Sequence, residues 1–262
     1  MWNDRPDPIP WEFGSLGSWG TLGRWCWPPQ AQPGIPSVEL WFADLDQWTS
    51  YLGDLHGWLT ATEQARADRF HTPQLAQRFI GCRGILRGLL AQTLGIPPET
   101  IAFTYNDRGK PQLAPGLASQ PLEFNLSHSQ NLVLYGFSTQ PLGVDLEHLN
   151  QDRQGVTIAR RFFSPSEVAV LESFGDSPEE RSHQQQAFLR HWVCKEAYVK
   201  ATGQGLAQDL RSIAVSFQPQ AQIHLTQPEP ISPSPSFPWQ VAELTPSPHS
   251  VGALVVATLP DC

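Results

Sequence analysis

The sequence predicts an α+β protein arranged as a pseudo-twofold duplication of two similar α+β halves. Three observations point there. Apolar spacing switches repeatedly between a helical and a strand period along the chain. The order "helices, then about three strands" occurs twice, once before and once after residue 150. The 262 residues are enough for two modest units, each with its own core. The repeat is one of element order, without residue-level self-similarity.

In the first half, Val38 to Leu45 has the alternation and β-formers of a strand. Asp46 to Leu59 reads as a helix, and Thr62 to Leu94 as helical with a break near Pro73. Within that stretch Phe79, Cys82, Leu86, Leu89 and Leu90 make the apolar side, and Gly95 closes it ahead of Pro97 and Pro98. Short strands follow at Ile101–Phe103 and Pro111–Leu113, flanking the turn Asn106-Asp107-Arg108-Gly109. Glu123–His128, Leu132–Phe137 and Leu142–Glu147 complete the half, the last two expected to be neighbours joined at Pro141.

The second half opens with helical segments at 155–163 and Pro165–Phe174. Ser164 is placed to cap the latter, with Glu167 three residues on. Phe188 to Thr202 is a helix closed by Gly203. Strands are expected at Ile213–Phe217, Ile223–Thr226, Trp239–Leu244 and Val251–Thr258, with the Pro/Ser-rich Gln227–Pro238 as a loop. Three regions result: a flexible Trp/Pro/Gly-rich extension over 1–36, an N-terminal half over 37–141 and a C-terminal half over 142–262.

Composition narrows the function classes. The net charge of −8 and pI near 5.4 exclude a general nucleic-acid binder, which needs a basic field. No apolar run approaches a membrane span, and the N-terminus has no signal-peptide pattern, so a cytoplasmic protein without membrane contact is expected. Cys26, Cys82, Cys194 and Cys262 lack CxxC spacing, which argues against zinc and against a disulfide framework.

Four segments carry candidate chemistry. Asp145-Leu146-Glu147 on a strand puts two carboxylates on one face, a platform for a hard divalent cation or a solvated strand face. Asn125-Leu126-Ser127-His128-Ser129 sits at a strand end. Asn125 could brace the backbone there, and Ser127 and His128 could donate to phosphate; a capped turn is the plainer reading. Asn106 to Pro111 presents Arg108 and Lys110 at a turn without any GxxxxGK[ST] or GxGxxG pattern. Finally, Trp192 to Lys200 places Glu196 and Lys200 one turn apart on a helical face, with Lys195 pointing away from that face.

The ordered set Arg66-Ala67-Asp68-Arg69-Phe70, Gly109-Lys110-Pro111, Asn125 to Ser129, Gly143-Val144-Asp145-Leu146-Glu147 and Trp192 to Lys200 resembles the 4′-phosphopantetheinyl transferases, specifically the double-length Sfp-type branch. The resemblance spans about residues 38 to 258, and Phe162 to Glu167 adds a further familiar element. It implies that fold and transfer of the phosphopantetheine arm of coenzyme A to a serine of an apo carrier protein. The by-product would be adenosine 3′,5′-bisphosphate. It implies Mg²⁺ held by Asp145, Glu147 and Glu196, Glu196 as general base and Lys200 at the leaving group. The coenzyme would be held by Arg66, Arg83, Arg108, Lys110, Asn125, Ser127 and His128, with Asp145 at its pyrophosphate and Lys195 adding charge nearby. Arg78 and Arg87 are read as structural. Carrier docking is expected on Phe162 and Phe163 with Arg160 or Arg161. A single chain carrying both halves implies a monomer. Two alternatives stay open: another Mg-dependent phosphotransferase, and a catalytically silent carrier-binding module of the same fold.

Overall fold

The structure is a computed structural model, and it describes residues 12–16, 19–149, 154–205, 209–218, 220–225 and 238–258. Strands β1 (Glu12–Leu16), β2 (Trp19–Trp27) and β3 (Val38–Asp44) come first. Helices α1 (Leu52–Gly57), α2 (Ala61–Ala67) and α3 (Pro73–Leu94) follow. Then come β4 (Phe103–Tyr105), β5 (Pro111–Leu113), β6 (Glu123–Ser129), β7 (Leu132–Ser138) and β8 (Leu142–His148). The second half contains α4 (Gly155–Phe162), α5 (Pro165–Glu172), α6 (Pro178–Thr202), β9 (Ile213–Ser216), β10 (Gln222–Leu225), β11 (Trp239–Leu244) and β12 (Ser250–Ala257). Among the described residues no helix is long and apolar enough to cross a membrane.

The elements form an α–β–β–α stack. One sheet has the order β1-β2-β3-β7-β6 and the other β11-β12-β8, with β9–β10 and β4–β5 as separate two-stranded pieces. Period-two alternation sorts the side chains between layers. On β7, Val133, Tyr135 and Phe137 face α1 and α3, packing with Leu55, Ile85, Leu86 and Leu89. Leu132 and Leu134 face the second sheet, packing with Val38, Leu40, Leu142, Val144, Leu146, Leu254 and Val256. Val251, Ala253 and Val255 on the far side of β12 pack with Phe188, Val193, Ala197 and Tyr198, which seats α6. Because both faces of β7 and β8 are covered, their sequences read as continuous buried runs.

Three expectations are corrected. The segment before residue 37 is not an extension throughout: β2 pairs with β3 from Gly23↔Phe42 to Trp27↔Val38, and Leu22 is fully buried. Glycines and the prolines at 28 and 29 hide its alternation in the sequence. Residues 1–11 and 17–18 lie outside the described residues, as does most of the expected Gln227–Pro238 loop. Second, β7 and β8 are not paired. β7 lies between β3 and β6, while β8 pairs with β12, so the chain passes from one sheet to the other at Pro141. Third, α6 starts at Pro178, ten residues before the expected Phe188. Its first turns are polar on every face, but Ser177 and Glu180 form a capping box around Pro178.

His191 on α6 sits in this core at 4% exposure, its Nδ1 2.8 Å from the Ala187 carbonyl oxygen and its ring edge-on to Phe217. Burial pushes its pKa below the usual histidine range; the Ala187 carbonyl and Glu167 oppose this, and Lys195 and Arg190 add to it. The unfolded chain therefore binds a proton near pH 6.5 that the folded chain resists. Stability is expected to hold above about pH 6.5 and to fall as the pH drops below it. Denaturant midpoints followed from pH 8 to pH 5 check this, and His191→Gln should flatten the slope.

Candidate active site

The two sheets meet where β6 runs beside β8, although the two strands belong to separate sheets. Side chains from alternate positions of β6 bridge the line. Asn125 Oδ1 accepts from the Val144 N–H at 2.9 Å. The Ser127 hydroxyl donates to Asp145 Oδ1 at 2.7 Å, and the Ser129 hydroxyl donates to Glu147 Oε2 at 2.9 Å. The Ser129 oxygen also accepts from the His148 N–H at 3.2 Å. Positions i, i+2 and i+4 of one strand share a face, so an N-x-S-x-S pattern stitches β6 to β8. Both carboxylates of the D-x-E thus point away from Val144 and Leu146, which face the core between the sheets.

Helix α6 closes the site from the other side. Lys200 Nζ donates to Asp145 Oδ1 at 2.6 Å, to the Ser127 oxygen at 2.9 Å and to the Val144 carbonyl at 3.3 Å. Asp145 is 5% exposed, and its Oδ2 is buried with no hydrogen-bond partner among the described residues. An ionised oxygen out of water without a donor is costly, so this atom is suited to a cation or a ligand proton. Glu196 lies one turn before Lys200, half-buried. The helix comes this close because β8 has a glycine at the crossing. A Cβ on Gly143 would stand 2.0 Å from the Ala197 carbonyl oxygen and 2.4 Å from the Ala201 nitrogen.

Several predicted ligand residues are engaged by other groups of the fold. Lys195 is fully buried, paired with Glu167 at 2.9 Å and donating to the carbonyls of Leu210 and Ile213. It faces away from Asp145, as a neighbour of Glu196 on a helix must. Burial alone would raise the pKa of Glu167, but Lys195 and hydrogen bonds from Val215 and Ser164 hold it below the usual range. Lys195→Met would leave that carboxylate buried and uncompensated, with an expected loss of about 3–5 kcal/mol in denaturant unfolding. Adding Glu167→Gln should recover part of the loss. Arg83 packs over the Phe103 ring at 5.0 Å and faces Glu63 at 3.4 Å, with its Nη1 buried and without a hydrogen-bond partner among the described residues; Arg87 beside it is the structural residue expected. Lys110 donates to three backbone carbonyls. Asn125 is the backbone brace described above. Phe163, expected on a docking patch, is 2% exposed and stacked on Phe188, because the Ser164 cap turns the chain inward.

Other cations named from the sequence are more accessible. Arg66 is exposed and lies over the Phe79 ring at 5.1 Å; Arg108 is exposed on its turn. His128 is exposed, yet partial desolvation and the fields of Lys200 and Arg78 push its pKa down, against the opposing Asp145. Among the described residues no three His, Cys, Asp or Glu side chains are grouped as a metal site. The expected trio of Asp145, Glu147 and Glu196 is therefore not preassembled, since Lys200 and the two serines engage the β8 carboxylates. The donors themselves are all oxygens, and the bare Asp145 Oδ2 is of the kind Mg²⁺ takes.

Comparison with known proteins identifies the family. Residues 40–139 match the family model "4′-phosphopantetheinyl transferase, N-terminal", and residues 141–258 match that of the "4′-phosphopantetheinyl transferase superfamily". The chain is 41% identical over 231 residues to the 4′-phosphopantetheinyl transferase HetI of Nostoc sp., covering 88% of this chain and 92% of the relative. It belongs to the 4′-phosphopantetheinyl transferase superfamily. The 4′-phosphopantetheinyl transferase psf-1 of Bacillus pumilus is 30% identical over 200 residues, covering 76% and 81% of the two chains. Sfp of Bacillus subtilis is 27% identical over 175 residues, covering 67% and 74%. The transferase is thus of the Sfp-type branch, and its fold is mixed α+β as expected.

Two structural roles at the site escape sequence reasoning. Ser129 ties down Glu147, and Gly143 admits α6. The alternation of Asn125, Ser127 and Ser129 signals the first tie. The need for Gly143 depends on a helix fifty residues later and leaves no local trace. A concavity of about 1440 Å³ lies elsewhere, lined by Trp27, Glu167, His191 and Phe217 among others. It is a feature of the β2, α5 and β9 surface and includes neither Asp145 nor Lys200.

Proposed function

We propose that this transferase moves the 4′-phosphopantetheine arm of coenzyme A onto a serine of an apo carrier protein and releases adenosine 3′,5′-bisphosphate. The observation that carries the reading is the Lys200–Asp145–Ser127 node between the two sheets, with Asp145 Oδ2 left bare. In the reaction the serine oxygen forms a bond to the pantetheine-side phosphorus. The bond from that phosphorus to the bridging oxygen breaks, and the serine proton passes to a carboxylate.

Asp145, Glu147 and Glu196 would hold Mg²⁺, which would supply charge neutralisation at the pyrophosphate. Glu196, half-buried on α6, accepts the serine proton. Lys200 faces the departing bisphosphate and stabilises the charge that develops there. Arg66, Arg78, Arg108, Ser127 and His128 bind the coenzyme phosphates, a local cationic rim in a chain whose net charge is −8. In this division residues 37–141 hold the coenzyme, while residues 142–262 supply metal ligands and catalysis and dock the carrier. Both halves reach the site from one chain, which supports action as a monomer.

Incubation with coenzyme A, Mg²⁺ and an apo carrier tests the reading. A carrier mass gain of one phosphopantetheine is expected. Coenzyme A binding without mass gain on fatty-acid, polyketide or peptide carriers would point instead to a silent carrier-binding module.

A further inference from the structure

We infer that Lys110 is a positioning residue: its ammonium fixes the end of α6 against the start of β8, sets the location of Lys200, and does not hold a coenzyme phosphate. The inference rests on the reading of the site given above. Lys110 Nζ donates to the Leu142 carbonyl at 3.1 Å and the Lys200 carbonyl at 2.7 Å, with the Ala201 carbonyl at 3.5 Å. An ammonium has three donors, so three carbonyls leave none for a phosphate. Two of those carbonyls belong to the last turn of α6, where backbone acceptors are unpaired and a cation is favoured.

The geometry brackets the crossing. Leu142 directly precedes Gly143, where helix and strand touch, and Lys200 is the residue whose own ammonium holds Asp145. A single amine thus grips strand and helix on both sides of the contact. The turn that carries it is built for the purpose. Asn106 Oδ1 accepts from the N–H groups of Arg108 at 3.0 Å and Lys110 at 2.8 Å, and Asn106 Nδ2 donates to the Gly203 carbonyl at 3.4 Å. Gly203, at φ +69°, ends the helix against that turn; its missing Cβ would stand 3.2 Å from Asn106 Nδ2.

The chain has three lysines, Lys110, Lys195 and Lys200. Amine acylation of the full-length protein, read residue by residue by mass spectrometry, therefore separates their roles. Lys200, with 28% of its side chain exposed, should label and be protected by coenzyme A. Lys110 should label at least roughly tenfold more slowly, because its bonds must first open, and coenzyme A should not change its rate. Rapid labelling of Lys110 that coenzyme A suppresses overturns the inference. If coenzyme A protects no lysine, the coenzyme reading fails while slow labelling of Lys110 still supports the latch.

Steady-state kinetics give the second arm. Lys110→Met should lower kcat by on the order of 10²-fold, as a misplacement of about 1 Å does, with the Kd and KM for coenzyme A nearly unchanged. Lys110→Arg should restore part of kcat. A Kd raised about tenfold with kcat intact would make Lys110 a ligand, and no change in either would make the latch dispensable. If Lys110→Met does not fold, the labelling of the unaltered protein decides.

Discussion

Gly143→Ala is expected to disable the enzyme and to destabilise it. The added Cβ would meet backbone, with the Ala197 carbonyl oxygen at 2.0 Å, the Ala201 nitrogen at 2.4 Å and the Lys200 carbonyl carbon at 3.0 Å. No rotamer change relieves a clash between backbones, so α6 must lift from β8 by about 1 Å or more. Overpacking of a core costs about 1–3 kcal/mol, and this contact belongs at or above the upper end. For a chain of this size that is a fall of about 6–12 °C in Tm. The same shift moves Lys200 away from Asp145, and a displacement of that size costs on the order of 10²-fold in kcat. Thermal unfolding and carrier modification measured on one preparation check both parts. Near-normal activity at normal Tm would mean that α6 does not depend on the glycine.

Asp145→Asn is expected to lose the most activity with the least structural change. The amide keeps the shape of the side chain and can still accept from Ser127 and Lys200 through its oxygen. What disappears is the charge, and with it the bare oxygen offered to a cation. Removing one electrostatic group from such a site costs about 10²–10³-fold in kcat, and a metal ligand belongs at or beyond that range. Unfolding should change far less than for Gly143→Ala. The variant should also show no response when Mg²⁺ is varied. Turnover close to that of the unaltered protein would remove Asp145 from the reacting centre.

Much of this was legible in the chain and some was not, for physical reasons. The D-x-E, the N-x-S-H-S and the Glu196–Lys200 pair are local patterns, and strand and helix periods alone dictate which side chains share a face. The roles of Lys195 and Lys110 were not legible, because a lysine in a motif looks the same whether its ammonium meets a ligand or a carbonyl. Only the folded neighbours decide: Glu167 with Leu210 in one case, Leu142 with Lys200 in the other. Likewise β2 was hidden because glycines interrupt its alternation and two prolines follow it, while its partner β3 is plain. The late start expected for α6 has the same origin. Its first turns carry no apolar stripe, and the capping box at Ser177 was the available signal.

A backbone ladder between two strands is largely indifferent to side-chain identity, so a substitution other than to proline leaves its hydrogen bonds in place. The join between β6 and β8 is of the opposite kind, made by one amide and two hydroxyls. Each tie can be removed on its own by a change such as Ser129→Ala, without altering the path of the chain. The cohesion of the two sheets along this line is therefore written in side chains, and it can be weakened in separate steps. Because the same hydroxyls orient Asp145 and Glu147, the grip of one sheet on the other and the aim of the carboxylates are a single property of this protein.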